Sequence, residues 1–507
     1  MKTYKYLFLL IGLSIIGCSD LEEQPVGILS PDGFFSTVDD IQIAVDGSLT
    51  HAINEEIWGR KLSIALMLRS DMVNLQSDET RRVEMNTHTI TGDNEMVYDP
   101  WTRIYLGIAA ANNAIAGAED VDAEDDIKNP VVAQAYFARA FYYFHLVRLF
   151  GDIPYIDAPI EGDEAYSINL TPESEVYDNI ISDLEFAKTW LPNTVASRAI
   201  PSKAAASSYL ALVYLTRAGT SDNAYFKKAF DEAQEVIENK GVYELDLDPD
   251  FQTLFNADKI DASLEPIFAL DYNAVEADDN SYDQIAPMVG IRSDDIVGGW
   301  SVAVPTMAVY ESFNPADYRR TVSFKESALI NGNLEPYTNY TASGHKFAAN
   351  QPYIDKYGRF PGEYARSSTR ATSHNYSMMR YAEVLLIAAE AGAEIGNPLA
   401  LTYVNMIRER ARQGGSTITG DGTAITVEPS EEPADLESVT VADVLEERRL
   451  ELAFECKRWY DIKRRQLGDQ VFGASGLEGA KSDWNSAVDY DTPIPQEEID
   501  RNPNLGL

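Results

Sequence analysis

Residues 129–154, NPVVAQAYFARAFYYFHLVRLFGDIP, constrain the fold more than any other stretch of the chain. Val132, Ala135, Arg139, Tyr142, Leu146 and Leu149 recur at steps of three or four, which puts them on one face of a helix. Asn129 suits the N-cap and Pro130 the first helical position, where a missing N–H costs nothing. Gly151 ends the pattern and Pro154 prevents it from resuming. A helix of this length with an apolar face needs other helices to cover it.

The same periodicity predicts those helices at 101–118, 172–190, 201–218, 223–239, 378–395, 398–412 and 441–467. Residues 37–69 read as mostly helical with a polar break near Asn54, and residues 70–100 as polar and irregular. PSKAAASSYLALVYLTRAG followed by AYFKKAFDEAQEVIENKG resembles a tetratricopeptide hairpin, with alanines for close approach and Tyr209, Leu212, Tyr214 and Leu215 to fill grooves. YAEVLLIAAEAGAEIGNPLALTYVNMIRERA looks like a second such pair. The spacing between pairs is irregular, so a simple solenoid is not expected. Residues 241–375 are rich in Asp, Asn, Gly, Pro and Tyr, with one strand-like run, EPIFALDY. So long a stretch without strong helix is usually functional. The expected fold is mainly α: a tetratricopeptide-like helix-pair scaffold with a large loop-rich region laid over it. The expected division is a helical N-terminal region at 34–240, then a C-terminal region at 241–507 made of a loop-rich ligand face (241–375) and closing helices.

The N-terminus predicts location. Lys2 and Lys5 precede an almost wholly apolar run, Leu7 to Gly17. Eleven helical residues span about 16 Å, short of the ~30 Å hydrocarbon core of a bilayer. The layout is that of a cleaved secretory signal over residues 1–17. Ile15-Ile16-Gly17-Cys18 resembles a bacterial lipobox, which makes Cys18 the expected acylation site and 18–33 a tether. Cys456 is the only other cysteine, so no intramolecular disulfide is expected. The net charge of −40 argues against nucleic acid and anionic polymers as main partners.

Catalytic and metal signals are weak. Arg448, Glu451, Glu455 and Arg458 follow one another at steps of three and four, and on one helix they would share a face. Two carboxylates in a basic frame suit acid–base chemistry, but such spacing equally makes an ion network tying a helix to its neighbours, the reading preferred here. Asp246, Asp248 and Asp250 have EF-hand-like spacing, yet Phe251 and Ala257 stand where that loop needs Gly and Glu. Asp278, Asp279, Asn280 and Asp283 form a looser oxygen cluster. The five histidines are scattered, and there is no HExxH, GxSxG or Walker A sequence. No metal, cofactor or catalytic residue is expected. Aromatic side chains are the better lead, because an exposed Trp or Tyr offers a flat apolar platform on which a ligand can stack. Trp101, Trp190 and Trp459 sit at helical spacing and are expected in the core. Trp300 follows Gly298-Gly299 in SDDIVGGWSVAVP, a stretch expected to be a flexible loop.

Four stretches together resemble the SusD/RagB family: ARAFYYFHLVRLFGDIPY (138–155), MRYAEVLLIAAEA with VNMIRERA (379–391 and 404–411), LEERRLELAFECKRWYDIKR (445–464) and TPIPQEEIDRNPNL (492–505). With the lipobox-like start, the resemblance spans essentially the whole chain. It departs at Cys456, where the family usually has glycine. The resemblance implies a non-enzymatic, lipid-anchored, surface-exposed protein of the outer membrane. Such a protein captures poly- or oligosaccharide and delivers it to a TonB-dependent transporter. It also implies a sugar platform built from the loop before the helix at Trp101 and from the region around Trp300. The matching positions are Trp300, Tyr282, Asp279, Asn74, Asp78, Arg81 and Arg82. The acidity of the chain favours a neutral polymer such as a β-glucan, a mannan or an α-glucan. A peptide-binding member of the family, a glycoside hydrolase and a protein-binding adaptor are the alternatives.

Overall fold

The computed structural model describes residues 33–76, 78–160, 162–273, 283–340, 350–362 and 372–506; Cys18, Asp279 and Tyr282 lie outside them. Among the described residues, the helices of seven or more residues are α1 Val38–Thr50, α2 Lys61–Leu68, α3 Thr80–Thr87, α4 Glu95–Gly117, α5 Asp125–Phe150, α6 Glu173–Trp190, α7 Lys203–Ala218, α8 Asn223–Glu238, α9 Tyr381–Glu394, α10 Leu399–Arg412, α11 Val441–Glu451 and α12 Arg458–Arg464. Each of α1, α4, α5, α6, α7, α8, α9 and α10 packs on the next, and α11 closes against α9 and α10. This is the tetratricopeptide-like stack.

The pairs end where the sequence places their caps. Ser202 Oγ accepts the Ala205 N–H at 3.3 Å to start α7, Gly219 ends it at φ 57°, and Asp222 accepts from Ala224 and Tyr225 to start α8. Gly392 lets α9 approach α8 and α10 closely: a Cβ there would stand 3.2 Å from both Phe230 and Ala400.

Helix α5 starts earlier than expected, with Glu124 rather than Asn129 at the N-cap and Pro130 inside the helix. Asp125 and Asp126 sit in its first turn, where the helix dipole favours anions. It is also not one-faced: every residue from Phe137 to Phe150 is buried. Burial on all sides forces its charged residues to find partners. Arg139 donates from Nε and Nη2 to the two Asp183 oxygens of α6 at 2.8 Å each, and from Nη1 to Asn112 of α4 at 3.0 Å.

Two further expectations are corrected. Residues 70–100 contain α3 and the first turns of α4, with Pro100 inside that helix. The single helix expected over 441–467 breaks into α11 and α12, because Phe454 and Cys456 adopt φ 63° and 57°. Such left-handed conformations disfavour side chains with a Cβ, and this accounts for the glycine that the family resemblance sets against Cys456. The Cys456 thiol is buried and free, it donates to the Ser63 carbonyl at 3.3 Å, and burial pushes its pKa up to about 12.

Glu451, the last residue of α11, and Glu455, in the break, both lie in the protein interior. Glu451 accepts from Arg380 at 2.6 Å and Arg319 at 3.2 Å, and pairs with Arg410. Glu455 accepts from Arg380 Nε at 2.9 Å and Lys356 at 2.8 Å. Glu265 joins Arg380 and Arg410 from a third segment. Arg448 pairs with Asp461, and Arg458 with Asp71. The four charged residues do not share a helix face; Glu451 and Glu455 enter one interior ion network, while Arg448 and Arg458 tie the segment to Asp461 and Asp71 separately. Burial alone would raise the Glu451 carboxyl; Arg410, Arg380 and Arg319 outweigh it and hold it well below the usual carboxylate range.

The loop-rich region is pinned at its base by an antiparallel pair, β2 (Pro266–Leu270, inside EPIFALDY) and Tyr376–Arg380, which runs from Pro266↔Arg380 to Leu270↔Tyr376 with an irregularity at Phe268. Arg380 ends that strand, so the same segment fixes the loop base and feeds the ion network.

Candidate ligand-binding site

A second, shorter pairing assembles the candidate site. Strand β1 (Asn74–Leu75) runs antiparallel to β3 (Ala303–Val304), with Asn74 opposite Val304 and Leu75 opposite Ala303. The Gln76 N–H extends the ladder to the Val302 carbonyl at 2.7 Å. This joins the loop before α4 to the loop carrying Trp300.

Gly298-Gly299 is not a flexible joint. The Gly299 N–H donates to Ile291 O at 2.7 Å and the Trp300 N–H to Pro287 O at 2.6 Å. A Cβ on Gly299 would stand 2.1 Å from the Gly290 carbonyl oxygen, so glycine is required there for close approach of two backbone segments. Trp300 is half-buried and packs partly on the core. The rest of it faces a hollow of about 280 Å³ lined by Arg60, Gln76, Glu79, Arg82, Arg292, Trp300, Ser301 and Val302.

Of the residues that the resemblance points to, Trp300 and Arg82 line this hollow, and Asn74 holds its strand wall. Arg81 and the exposed Asp78 lie on the adjoining segment and do not line it. Arg60, Gln76, Glu79, Arg292, Ser301 and Val302 are additions. Arg60 follows a wide turn, Glu55–Gly59, in which Ile57 departs from helical geometry; wide turns of this kind are frequent at functional sites. The polar break at Asn54 was the only local signal for it.

Charge at the hollow is unlike charge over the chain. Three arginines line it against one carboxylate. Glu79 is shared: its Oε1 accepts from Arg82 and its Oε2 from Arg81, each at 2.7 Å. Arg81 also pairs with Glu95, and Arg60 with Glu55. Burial lowers the proton affinity of Arg82; Glu79 opposes that effect, and Arg81 and Arg60 add to it. Arg292 is exposed; its backbone N–H donates to Ser301 Oγ at 3.0 Å, while among the described residues its side chain makes only a long contact (3.5 Å) from Nη2 to the Trp300 carbonyl and meets no carboxylate.

The other aromatic and carboxylate candidates are committed elsewhere. Trp101 and Trp459 are buried, and Trp190 packs partly on the core. Asp246 pairs with Lys240, Asp248 accepts from Ser263 Oγ at 2.7 Å, and Asp250 accepts from Tyr318 Oη at 2.9 Å and the Ser416 N–H at 3.0 Å. Asp283, of the looser oxygen cluster, is buried against Thr372. Larger concavities lie away from Trp300, and two of them are lined by several aromatic side chains. One, of about 420 Å³, is an apolar cleft beside Trp101, Tyr105, Leu106 and Tyr166. The other, of about 560 Å³, is lined by Tyr177, Tyr225, Tyr460, Tyr490 and the buried Arg148. Neither includes a residue of the loop-rich region.

Comparison with known proteins agrees with this architecture. The profile of the SusD family matches residues 264–506, and a profile described as starch-binding and associating with the outer membrane matches residues 35–215. A SusD-like protein of Formosa agariphila is 46% identical over 100% of this chain and 99% of its own length. A SusD homolog from Bacteroides thetaiotaomicron superposes with a TM-score of 0.78 at 18% identity, covering 94% of this chain and 97% of its own. Surface glycan-binding protein A from Bacteroides uniformis does so with a TM-score of 0.74 at 22% identity, covering 92% and 98%. The chain belongs to the SusD/RagB family.

Proposed function

We propose that the protein is a non-enzymatic, lipid-anchored glycan-binding protein of the outer-membrane surface. It captures poly- or oligosaccharide and passes it to a TonB-dependent transporter. Family membership supports the role, as do the descriptions of the matching profile and of the Bacteroides uniformis neighbour. The observation that carries the site is the Trp300 hollow: a half-exposed indole on a rigid loop, beside amide and guanidinium donors able to reach sugar hydroxyls. A shallow site of this kind suits binding in the micromolar to millimolar range, about −8 to −4 kcal/mol, which lets the ligand be handed onward.

Isothermal titration against a glycan panel tests this reading. Trp300→Ala is expected to weaken binding about tenfold, since one platform contributes on the order of 1–1.5 kcal/mol. It should lower the melting temperature slightly, because one side of the indole packs on the core. Unchanged affinity with a large drop in melting temperature would make Trp300 a packing residue only. New reducing ends released from a polymer by the pure protein would overturn the non-enzymatic reading.

The anchor is proposed at Cys18, from the sequence around it. Cys18→Ala is expected to abolish acyl labelling and release the protein from membranes of cells lacking the transporter. Retention of the variant in that outer-membrane fraction would place the anchor elsewhere.

A further inference from the structure

The chain's net charge of −40 favours a neutral polymer, because a strongly acidic protein repels polyanions at long range. That field does not reach far. The Debye length is about 8 Å at physiological ionic strength, so exposed carboxylates beyond it are largely screened. The charges at the site then decide: Arg60 pairs with Glu55 and Arg82 with Glu79, which leaves Arg292 as the lining cation with no carboxylate partner among the described residues.

We propose that the Trp300 hollow selects an anionic saccharide, one carrying a carboxylate or a sulfate ester, with the sugar ring on Trp300 and the anionic group at Arg292. The inference rests on the glycan-binding reading above and deepens it. Arg292 is the residue placed to receive the anion. It lines the hollow, its side chain is exposed, and no carboxylate among the described residues neutralises it. Its planar fork matches two oxygens of a carboxylate or sulfate at once. Arg82 contributes from the buried wall, fixed in place by Glu79. Glu79 and Glu95 offset Arg81 and Arg82, and Glu55 offsets Arg60, so the charge left for a ligand is that of Arg292.

A titration series on the full protein tests this, with oligogalacturonate as the carboxylate probe, a carrageenan oligosaccharide as the sulfate probe, and laminarin, mannan and amylose oligosaccharides as neutral ones. One of the anionic probes is expected to bind at least about tenfold more tightly than every neutral one. Its affinity should fall as NaCl rises from about 0.05 to about 0.5 M, as the Debye length shortens. Arg292→Gln should remove about tenfold of that affinity at an unchanged melting temperature, because this exposed side chain supports no packing. The carboxylate and sulfate arms separate the two sources of charge. A neutral probe bound as tightly as either anionic one, or an anionic probe indifferent to Arg292→Gln, overturns this inference and leaves the glycan-binding reading intact. Failure to bind any saccharide of either class overturns both.

Discussion

Glu451→Ala is expected to yield a protein that does not fold stably at 25 °C. Glu451 is fully buried and serves Arg319, Arg380 and Arg410 together. Removing one partner of a buried ion pair costs about 3–5 kcal/mol, because the other charge stays buried and uncompensated. Here three guanidinium groups lose a partner at one site. Whole-domain stability is typically about 5–15 kcal/mol, so the loss consumes much of it. Glu451→Gln keeps an oxygen acceptor and should fall between the two. Circular dichroism melts of the three proteins check this. An alanine variant that melts within a few degrees of the wild type would show that Glu265 and Glu455 suffice to hold the arginines.

The second large effect is a dependence on pH. Asp283 is buried, its Oδ1 accepts the Ile285 N–H at 2.6 Å, and its Oδ2 takes a hydrogen bond from Thr372 Oγ1 at 3.0 Å. Burial pushes its pKa up to about 7; the two hydrogen bonds work against that and lose. An unfolded aspartate titrates near 3.9. The folded value is raised, so the native state holds this proton more tightly than the unfolded one. The contribution is therefore present below about pH 4 and is lost as pH rises through 7. Each unit is worth up to about 1.4 kcal/mol. Asp283→Asn keeps the shape and fixes the neutral state. Its stability relative to wild type should rise by up to about 3 kcal/mol between pH 5 and pH 7.5. Urea melts at the two pH values measure the difference. A gap that does not change with pH would mean that Asp283 titrates normally.

Both predictions concern residues whose partners are remote in sequence, and these mark the limit of what could be read from the chain. The helix pairs were legible because burial against a neighbour imposes a 3.6-residue period, and because Ser202, Asp222 and Gly219 are chemically suited to caps and stops. Helix α3 was not, because TRRVEMNT carries almost no apolar signal; only Arg82 and Met85 are buried. The start of α4 was hidden by Pro100, which reads as a boundary but sits beyond the first turn. The break between α11 and α12 depends on left-handed Phe454 and Cys456, residue types that announce no such turn. The interior ion network could be suspected from ERRLELAFECKRWYD, but its partners Arg319, Lys356, Arg380 and Arg410 come from separate segments.

The candidate site divides in the same way. An isolated tryptophan in a long non-helical region was visible. Its neighbours were not, since a two-residue ladder between Leu75 and Ala303 leaves no pattern in either segment. Lone arginines such as Arg60 and Arg292 look like ordinary surface charges until the fold brings them to one wall. Net charge sums over the whole surface, whereas a ligand in the proposed site would meet only the screened, local part.

The most direct measurement is a crystal structure of the protein with whichever oligosaccharide of the panel binds most tightly. The account predicts a sugar ring stacked on the Trp300 indole, with an anionic substituent within hydrogen-bond distance of the Arg292 guanidinium. A ligand seated instead in the apolar cleft beside Trp101 and Tyr166, or in the groove beside Arg148 and Tyr460, with the Trp300 hollow left open, would contradict it.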